Sequence, residues 1–177
     1  FVLQNGGRPA FEMRVILAAT LSPVYGIYSG YELCENQAIP GKEEYANSEK
    51  YEIKPRDWNA PGNIKQLIKQ LNYIRRNNSA LQNFRNLKFC QVDNPNFVAY
   101  LRWNNDLSNI LLIVVNVNPF EDHYTTVKVP VNEFGIDLSG YYTVEDLLTD
   151  RKYVWYGEQN FVKLDPKVQT AHIFKLR

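Results

Sequence analysis

The chain has 177 residues, 45% hydrophobic and 14% aromatic, enough for one medium domain or a piece of one joined to a small second domain. Twenty Lys+Arg against 19 Asp+Glu leave a net charge of +1, which excludes the one-signed field that gathers nucleic acid or anionic membrane. The longest apolar stretch, Ile110 to Val115, is too short to span a bilayer.

Taken in chain order, Pro9 suits a first helical turn, where its missing N–H has no partner to lose, and Phe11, Val15, Ala18 and Ala19 recur at helical spacing. The pattern predicts a helix from about Arg8 to Thr20. Pro23 ends it, and the apolar and aromatic run Val24 to Ser29, closed by Gly30, predicts a buried strand. Residues 35–63, with Pro40, Gly41, Pro55, Pro61 and Gly62, form a long polar loop. Loops of that length are commonly functional or disordered, and the aromatic content here points to the former.

Ile64, Leu67, Ile68, Leu71 and Ile74 lie on one helical face, with Asn63 as N-cap and Arg75 and Arg76 near the C-terminal dipole. From Leu87 the period changes to that of strands. The runs Leu87–Val92, Phe97–Trp103, Ile110–Val117, Tyr124–Val129, Tyr141–Asp146, Tyr153–Trp155, Phe161–Leu164 and Gln169–Leu176, separated by Asn, Asp, Gly and Pro, predict an antiparallel sandwich.

Cys34 and Cys90 are far apart, and His123 and His172 have no ligand-like spacing, so two ordinary buried thiols are expected and neither a disulfide nor a metal. No cofactor is implied. Phe1 to Gly7 lacks the basic start and apolar run of a signal peptide, which predicts a cytoplasmic protein. One strand and two helices do not make a domain alone, so the chain is expected to be cut from a longer one.

The loop holds the chemistry-bearing residues. Glu43-Glu44-Tyr45, Ser48-Glu49-Lys50-Tyr51-Glu52 and Arg56-Asp57-Trp58 crowd charge and rings into a short span. Lys50 supplies a mobile charged donor and Tyr51 a ring with a hydroxyl, a pair suited to sugar hydroxyls and the apolar face of a pyranose. Arg56 and Asp57 read as a salt bridge capped by the Trp58 indole. Retaining glycosyl transfer needs two carboxyls roughly 5 Å apart, and nothing in the spacing fixes such a pair. Strand aromatics such as Trp103, Tyr141, Tyr142, Tyr153, Trp155 and Tyr156 read mainly as core, with a surface sugar platform as the alternative.

The order of these segments, from Leu21-Ser22-Pro23-Val24-Tyr25-Gly26-Ile27-Tyr28-Ser29-Gly30-Tyr31 through the loop to Leu71-Asn72-Tyr73-Ile74-Arg75-Arg76, resembles the end of an α-amylase-superfamily barrel. Glu-Glu-Tyr, Ser-Glu-Lys-Tyr-Glu and Arg-Asp-Trp resemble, more narrowly, the bacterial maltosyltransferases that extend α-1,4-glucan from maltose 1-phosphate. The resemblance implies an α+β fragment: the last strand and helices of a (β/α)₈ barrel in residues 1–83, followed by an antiparallel β-sandwich in 84–177. It implies that Lys50 and Tyr51 hold the non-reducing sugar of the maltosyl unit, with Glu49, Glu52 and Tyr31 in support and Tyr28 in the barrel core. The superfamily's catalytic carboxylates precede the matched part, so none is assigned here and the isolated piece is expected to be inactive. Its partners would be maltose 1-phosphate and α-1,4-glucan, with no nucleic acid or membrane, and its parent a homodimer. Ser79 stands where the family usually has proline. Alternatives are another superfamily enzyme, such as an amylase or trehalose synthase, and a non-catalytic glucan-binding module.

Overall fold

The computed structural model describes residues 2–42, 45–46, 53–137 and 139–177. Helix α1 (Val2–Leu21) breaks at Gly7, whose φ of 54° and ψ of −149° are non-helical, and the regular part after it carries Pro9. This is the helix expected from about Arg8. A turn at Tyr31–Leu33 leads into the loop, and α2 (Lys65–Asn77) follows. The N-cap position falls at Ile64 and not at Asn63 as its sequence position suggested, and Asn63 lies one residue earlier, its side chain accepting from the Lys65 N–H at 3.3 Å.

The strands are β1 (Leu87–Phe89), β2 (Gln91–Val92), β3 (Phe97–Trp103), β4 (Ile110–Asn116), β5 (His123–Lys128), β6 (Tyr141–Asp146), β7 (Arg151–Tyr156), β8 (Gln159–Leu164) and β9 (Ala171–Leu176). Among the described residues they form a six-stranded sheet in the order β1-β3-β4-β9-β6-β7 and a three-stranded sheet β2-β5-β8. Every ladder is antiparallel. The run expected as one strand from Leu87 to Val92 divides at Cys90, β1 pairing with β3 and β2 with β5.

Strand alternation decides what each face of the large sheet meets. On β4, Leu111, Ile113 and Val115 face the helices and join Phe11, Ile16, Leu71 and Ile74 in one core. Ile110, Leu112 and Val114 face the small sheet and join Val127, Val162 and Leu164 in a second. Because β4 is buried on both faces it reads as a continuous apolar run, and each fully buried aliphatic there contributes roughly 1.5–3 kcal/mol. The molecule is thus three layers: helices, large sheet, small sheet.

One expected element is different. Val24 to Tyr28 carries no strand, and Val24 and Tyr28 are exposed, Tyr28 by 60%. A strand needs a neighbour to accept its hydrogen bonds, and no described residue of this chain pairs with that segment. For the same reason Tyr28, expected in a barrel core, lies at the surface.

Two arginines fasten the helical layer. Arg75, read from the sequence as a C-terminal dipole residue, reaches across to the end of α1, donating to the carbonyls of Ala19, of Ser22 (2.9 Å) and of Pro23 (2.5 Å), with its guanidinium 4.8 Å from the centroid of the Tyr25 ring. Arg102, on β3, is fully buried and donates to the carbonyls of Thr20 (2.7 Å) and Asn83 and to the Asn86 side chain (3.0 Å).

Candidate functional site

The segment from Ser29 to Glu35 is held against the far end of the loop by one cluster. Arg56 Nε donates to Glu35 Oε1 at 3.0 Å and Nη2 to Oε2 at 3.3 Å, a two-pronged pair, while Nη1 donates to Ser29 Oγ at 3.2 Å. Lys54 adds a bond to Glu35 Oε2 at 3.1 Å. The Arg56 side chain is only 3% exposed and that of Glu35 31%. Burial alone would raise the Glu35 pKa, but the bonds from Arg56 and Lys54 outweigh it and hold the carboxyl below its usual range. Within the first half of the loop, Ala38 bridges Tyr45 and the Ala46 N–H donates to the Gln37 carbonyl at 2.7 Å.

The expected Arg56–Asp57 pair is not what forms. Arg56 turns to Glu35, and Asp57 Oδ1 instead accepts from the Asn59 N–H at 2.9 Å in a local turn. The Trp58 ring lies half-exposed beside Lys65, Lys69, Tyr73 and Arg76, along a hollow of about 510 Å³ on the outer face of α2.

Gly30 makes the clamp possible. Its φ is +92°, and a Cβ there would stand 2.2 Å from Glu35 Oε2 and 3.1 Å from Arg56 Nε. Gly30→Ala should therefore cost roughly 1–3 kcal/mol through backbone strain and displacement of the ion pair. Urea denaturation of the chain measures this, and an unchanged midpoint would show that the clamp bears no load.

Tyr31 sits beneath the loop. Its hydroxyl donates to the Phe11 carbonyl at 2.7 Å, its ring lies 4.9 Å from that of Phe11, and burial pushes its pKa upward. It is thus a strut between α1 and the loop, and it also borders two hollows. One, of about 40 Å³, is walled by Tyr28, Ser29, Gly30, Glu35, Tyr45 and Arg56. The other, of about 370 Å³, runs along α1 past Arg14, Ala18, Tyr25, Ile27 and Tyr28. The remaining residues expected to touch sugar, Lys50 and Tyr51 with Glu49 and Glu52, lie outside the described residues, as do Glu43 and Glu44.

Cys34, at the loop entrance, has a φ of 57° and directs its thiol to the Gly62 carbonyl at 3.7 Å. Burial pushes its pKa up to about 11 and that of Cys90 up to about 12, so both thiols are protonated and unreactive at neutral pH. Sequence spacing did not reveal the Glu35–Arg56 pairing, because the partners are distant in the chain; the only local sign was a glycine placed where the chain must turn under a side chain.

The family described as "GLGE, C-terminal" matches residues 89–176. An "Alpha-1,4-glucan:maltose-1-phosphate maltosyltransferase" of Rhodospirillum rubrum is 49% identical over 176 residues, spanning 99% of this chain and 26% of that protein. Its namesake from Picrophilus torridus is 45% identical over 171 residues, 97% of this chain and 27% of that protein. The chain therefore spans about a quarter of the length of the curated relatives it matches.

Among solved structures, a noncanonic maltogenic alpha-amylase AmyB from Thermotoga neapolitana superposes with a TM-score of 0.71 at 16% identity, covering 98% of this chain and 38% of that one. The alpha-amylase of Geobacillus thermoleovorans gives 0.68 at 17% identity, covering 97% and 34%. At such identities the likeness concerns fold alone. Sequence likeness at 45–49% along nearly the whole chain is more specific, and by it the chain belongs to the α-1,4-glucan:maltose-1-phosphate maltosyltransferase family, as a piece that includes that family's C-terminal domain.

Proposed function

We propose that the chain is part of a retaining glycosyltransferase that moves maltosyl units from maltose 1-phosphate to the non-reducing end of an α-1,4-glucan. The observation that carries this reading is the 49% identity, over 99% of the chain, to a relative bearing that name. Residues 1–83 are then the end of a (β/α)₈ catalytic barrel and 84–177 a sandwich that buttresses it. The exposed Val24 and Tyr28 and the apolar hollow along α1 support this division, since a neighbouring barrel strand would cover both. We place the parent in the cytoplasm as a homodimer; among the described residues no helix is long and apolar enough to cross a membrane.

Within that enzyme the chain's role is to bind donor. Lys50 donates to sugar hydroxyls and Tyr51 lies against the pyranose, with Glu49 and Glu52 fixing the lysine. The Glu35–Arg56–Lys54 cluster is a positioning device: its bonds to the Ser29 segment fix where the loop leaves the protein and where it returns. The nucleophile and the acid/base are supplied from outside these residues, so the chain alone is inactive.

The test is phosphate release from maltose 1-phosphate by the whole protein, with a maltooligosaccharide acceptor. Release should depend on acceptor, and Lys50→Ala should lower kcat/KM by roughly 10²-fold, the loss expected when a charged hydrogen bond to substrate is removed. Absence of release from a folded whole protein would sink the maltosyltransferase reading, and a fully active Lys50→Ala variant would sink the assignment of that residue.

A further inference from the structure

The side of α2 turned away from the core carries unmatched charge. Ile68, Leu71 and Ile74 pack inward, so Lys65, Lys69, Tyr73 and Arg76, spaced three or four residues apart, share the outer side. Lys69 and Arg76 are exposed, and among the described residues none of the three cations meets a carboxylate within ion-pair distance. The bond shown for Lys65 runs to the Asn59 amide oxygen at 3.4 Å. Elsewhere on the surface Lys88, Lys163 and Arg177 each hold a carboxylate partner. Like charges one helical turn apart repel, so this side of the helix is less favourable bare than with an anion on it.

The hollow of about 510 Å³ that runs along these residues has the size of a small-molecule site. Trp58, 45% exposed, and Tyr73, 69% exposed, place two rings on it. Glu32 lines it as well, and its Oε2 is buried with no hydrogen-bond partner among the described residues, an unmet acceptor in the wall. That carboxylate is held in place, because the Ile64 N–H donates to the Glu32 carbonyl at 2.8 Å and ties the turn to the start of α2.

An occupant that satisfies this hollow offers anionic oxygens to the cations, a flat ring to the aromatics and a hydroxyl or amine donor to Glu32. An inorganic anion supplies only the first. An acidic peptide would bring its own carboxylates against Glu32, and a long polyanion finds only about 16 Å of charge, the helical rise from Lys65 to Arg76. A nucleoside polyphosphate meets all three demands: its base lies on the rings, its ribose hydroxyls donate to Glu32 and its phosphates accept from Lys65, Lys69 and Arg76. We propose that the outer side of α2, with Trp58 and Glu32, is a binding site for a nucleoside polyphosphate. The inference goes beyond the proposed function and takes from it only that a barrel helix keeps its outer side toward solvent in the whole protein.

Isothermal titration calorimetry of the whole protein with ADP, pyrophosphate and adenosine is the experiment. ADP should bind at least about tenfold more tightly than either smaller probe, since rings and cations each contribute. Lys69→Ala/Arg76→Ala should weaken ADP by about tenfold or more through lost charged hydrogen bonds. Trp58→Leu should weaken ADP by about tenfold and leave pyrophosphate as it was. All three side chains are exposed, so folding should survive, and far-ultraviolet circular dichroism checks that it does. Lys128→Ala/Lys163→Ala, which removes two cations from the small sheet, is the matched control and should keep ADP affinity. The proposal is overturned if the unmodified protein does not bind ADP, if pyrophosphate binds as tightly as ADP, if the Lys69/Arg76 or the Trp58 variant binds ADP equally, or if the control loses affinity to the same extent. Absence of phosphate release from maltose 1-phosphate by the same unmodified protein would instead count against the proposed function.

Discussion

Replacing Asp146 by alanine should destabilise the chain by about 3–5 kcal/mol, the range seen when a buried charge network loses its centre. Asp146 is fully buried at the end of β6, and its two oxygens accept from five groups. These are the backbone N–H of Leu148 (3.2 Å) and of Ile173 (3.2 Å), Thr149 Oγ1 (2.7 Å), Gln169 Nε2 (2.8 Å) and His172 Nδ1 (2.9 Å). The network ties the β6–β7 turn to β9, and the His172 ring stacks 4.6 Å from Phe174. Alanine strands all five donors; Asp146→Asn, with one accepting oxygen, should cost less, about 1–3 kcal/mol.

Acid gives an independent readout of the same group. Burial would raise the Asp146 pKa, but the bonds from His172, Gln169 and Thr149 outweigh it and leave the carboxyl below its ordinary value of 3.8. A carboxyl with a depressed folded pKa contributes stability that is fully present above its unfolded pKa and is lost as pH falls through the folded one. The difference between the native chain and Asp146→Asn in urea midpoint should therefore be constant above about pH 5 and shrink below pH 3.8. A difference that holds steady down to pH 2, or an alanine variant within about 1 kcal/mol of the native chain, would show that the network carries little.

Elements whose stability is local or periodic were readable in the sequence. The α2 stripe and the β-rich runs from Leu87 onward were legible as elements, whereas the split of β4 between two cores appeared only in the structure. Val24 to Tyr28 was not readable in the same way, because an apolar run states only that something should cover it. Periodicity cannot say whether the covering element belongs to the same chain. The break of Leu87–Val92 at Cys90 was likewise invisible, since both pieces are strands and only their partners differ.

The site was legible as a region and not as a geometry. Charge and rings crowded into residues 43–58 marked the loop, but the bonds that hold it run from Arg56 and Lys54 back to Glu35, about twenty positions away. The sequence offered Asp57 as the nearer partner, and a contiguous pair would have closed nothing, whereas the Glu35 pairing closes the loop. Tyr31 could be singled out as an aromatic near a cleft, but not as a strut on the Phe11 carbonyl.

Arg102→Met should cost on the order of 2 kcal/mol, about one for each of the two hydrogen bonds lost to a buried acceptor. Exchanging a buried ion pair for apolar side chains is often neutral, because both charges leave together. Arg102 differs in that the partners shown for it are neutral, the carbonyls of Thr20 and Asn83 and the Asn86 amide oxygen, and of these Thr20 and Asn86 remain buried when the guanidinium goes while Asn83 is exposed to water. Burial lowers its pKa without discharging an arginine, and its Nε has no partner among the described residues, so this position already carries one unmet polar group. Methionine preserves most of the stem's packing, which isolates the polar loss. The consequence extends past stability. Thr20 is the penultimate residue of α1 and its hydroxyl meets Tyr100 OH at 2.6 Å, so Arg102 and Tyr100 together set where the chain departs toward Pro23, Tyr28 and the Glu35–Arg56 clamp. Urea denaturation and hydrogen exchange over residues 16–35 should both register the change, with exchange faster at the C-terminal turn of α1. If Arg102→Met leaves midpoint and exchange as they were, the guanidinium is dispensable and packing alone seats α1 on the sheet.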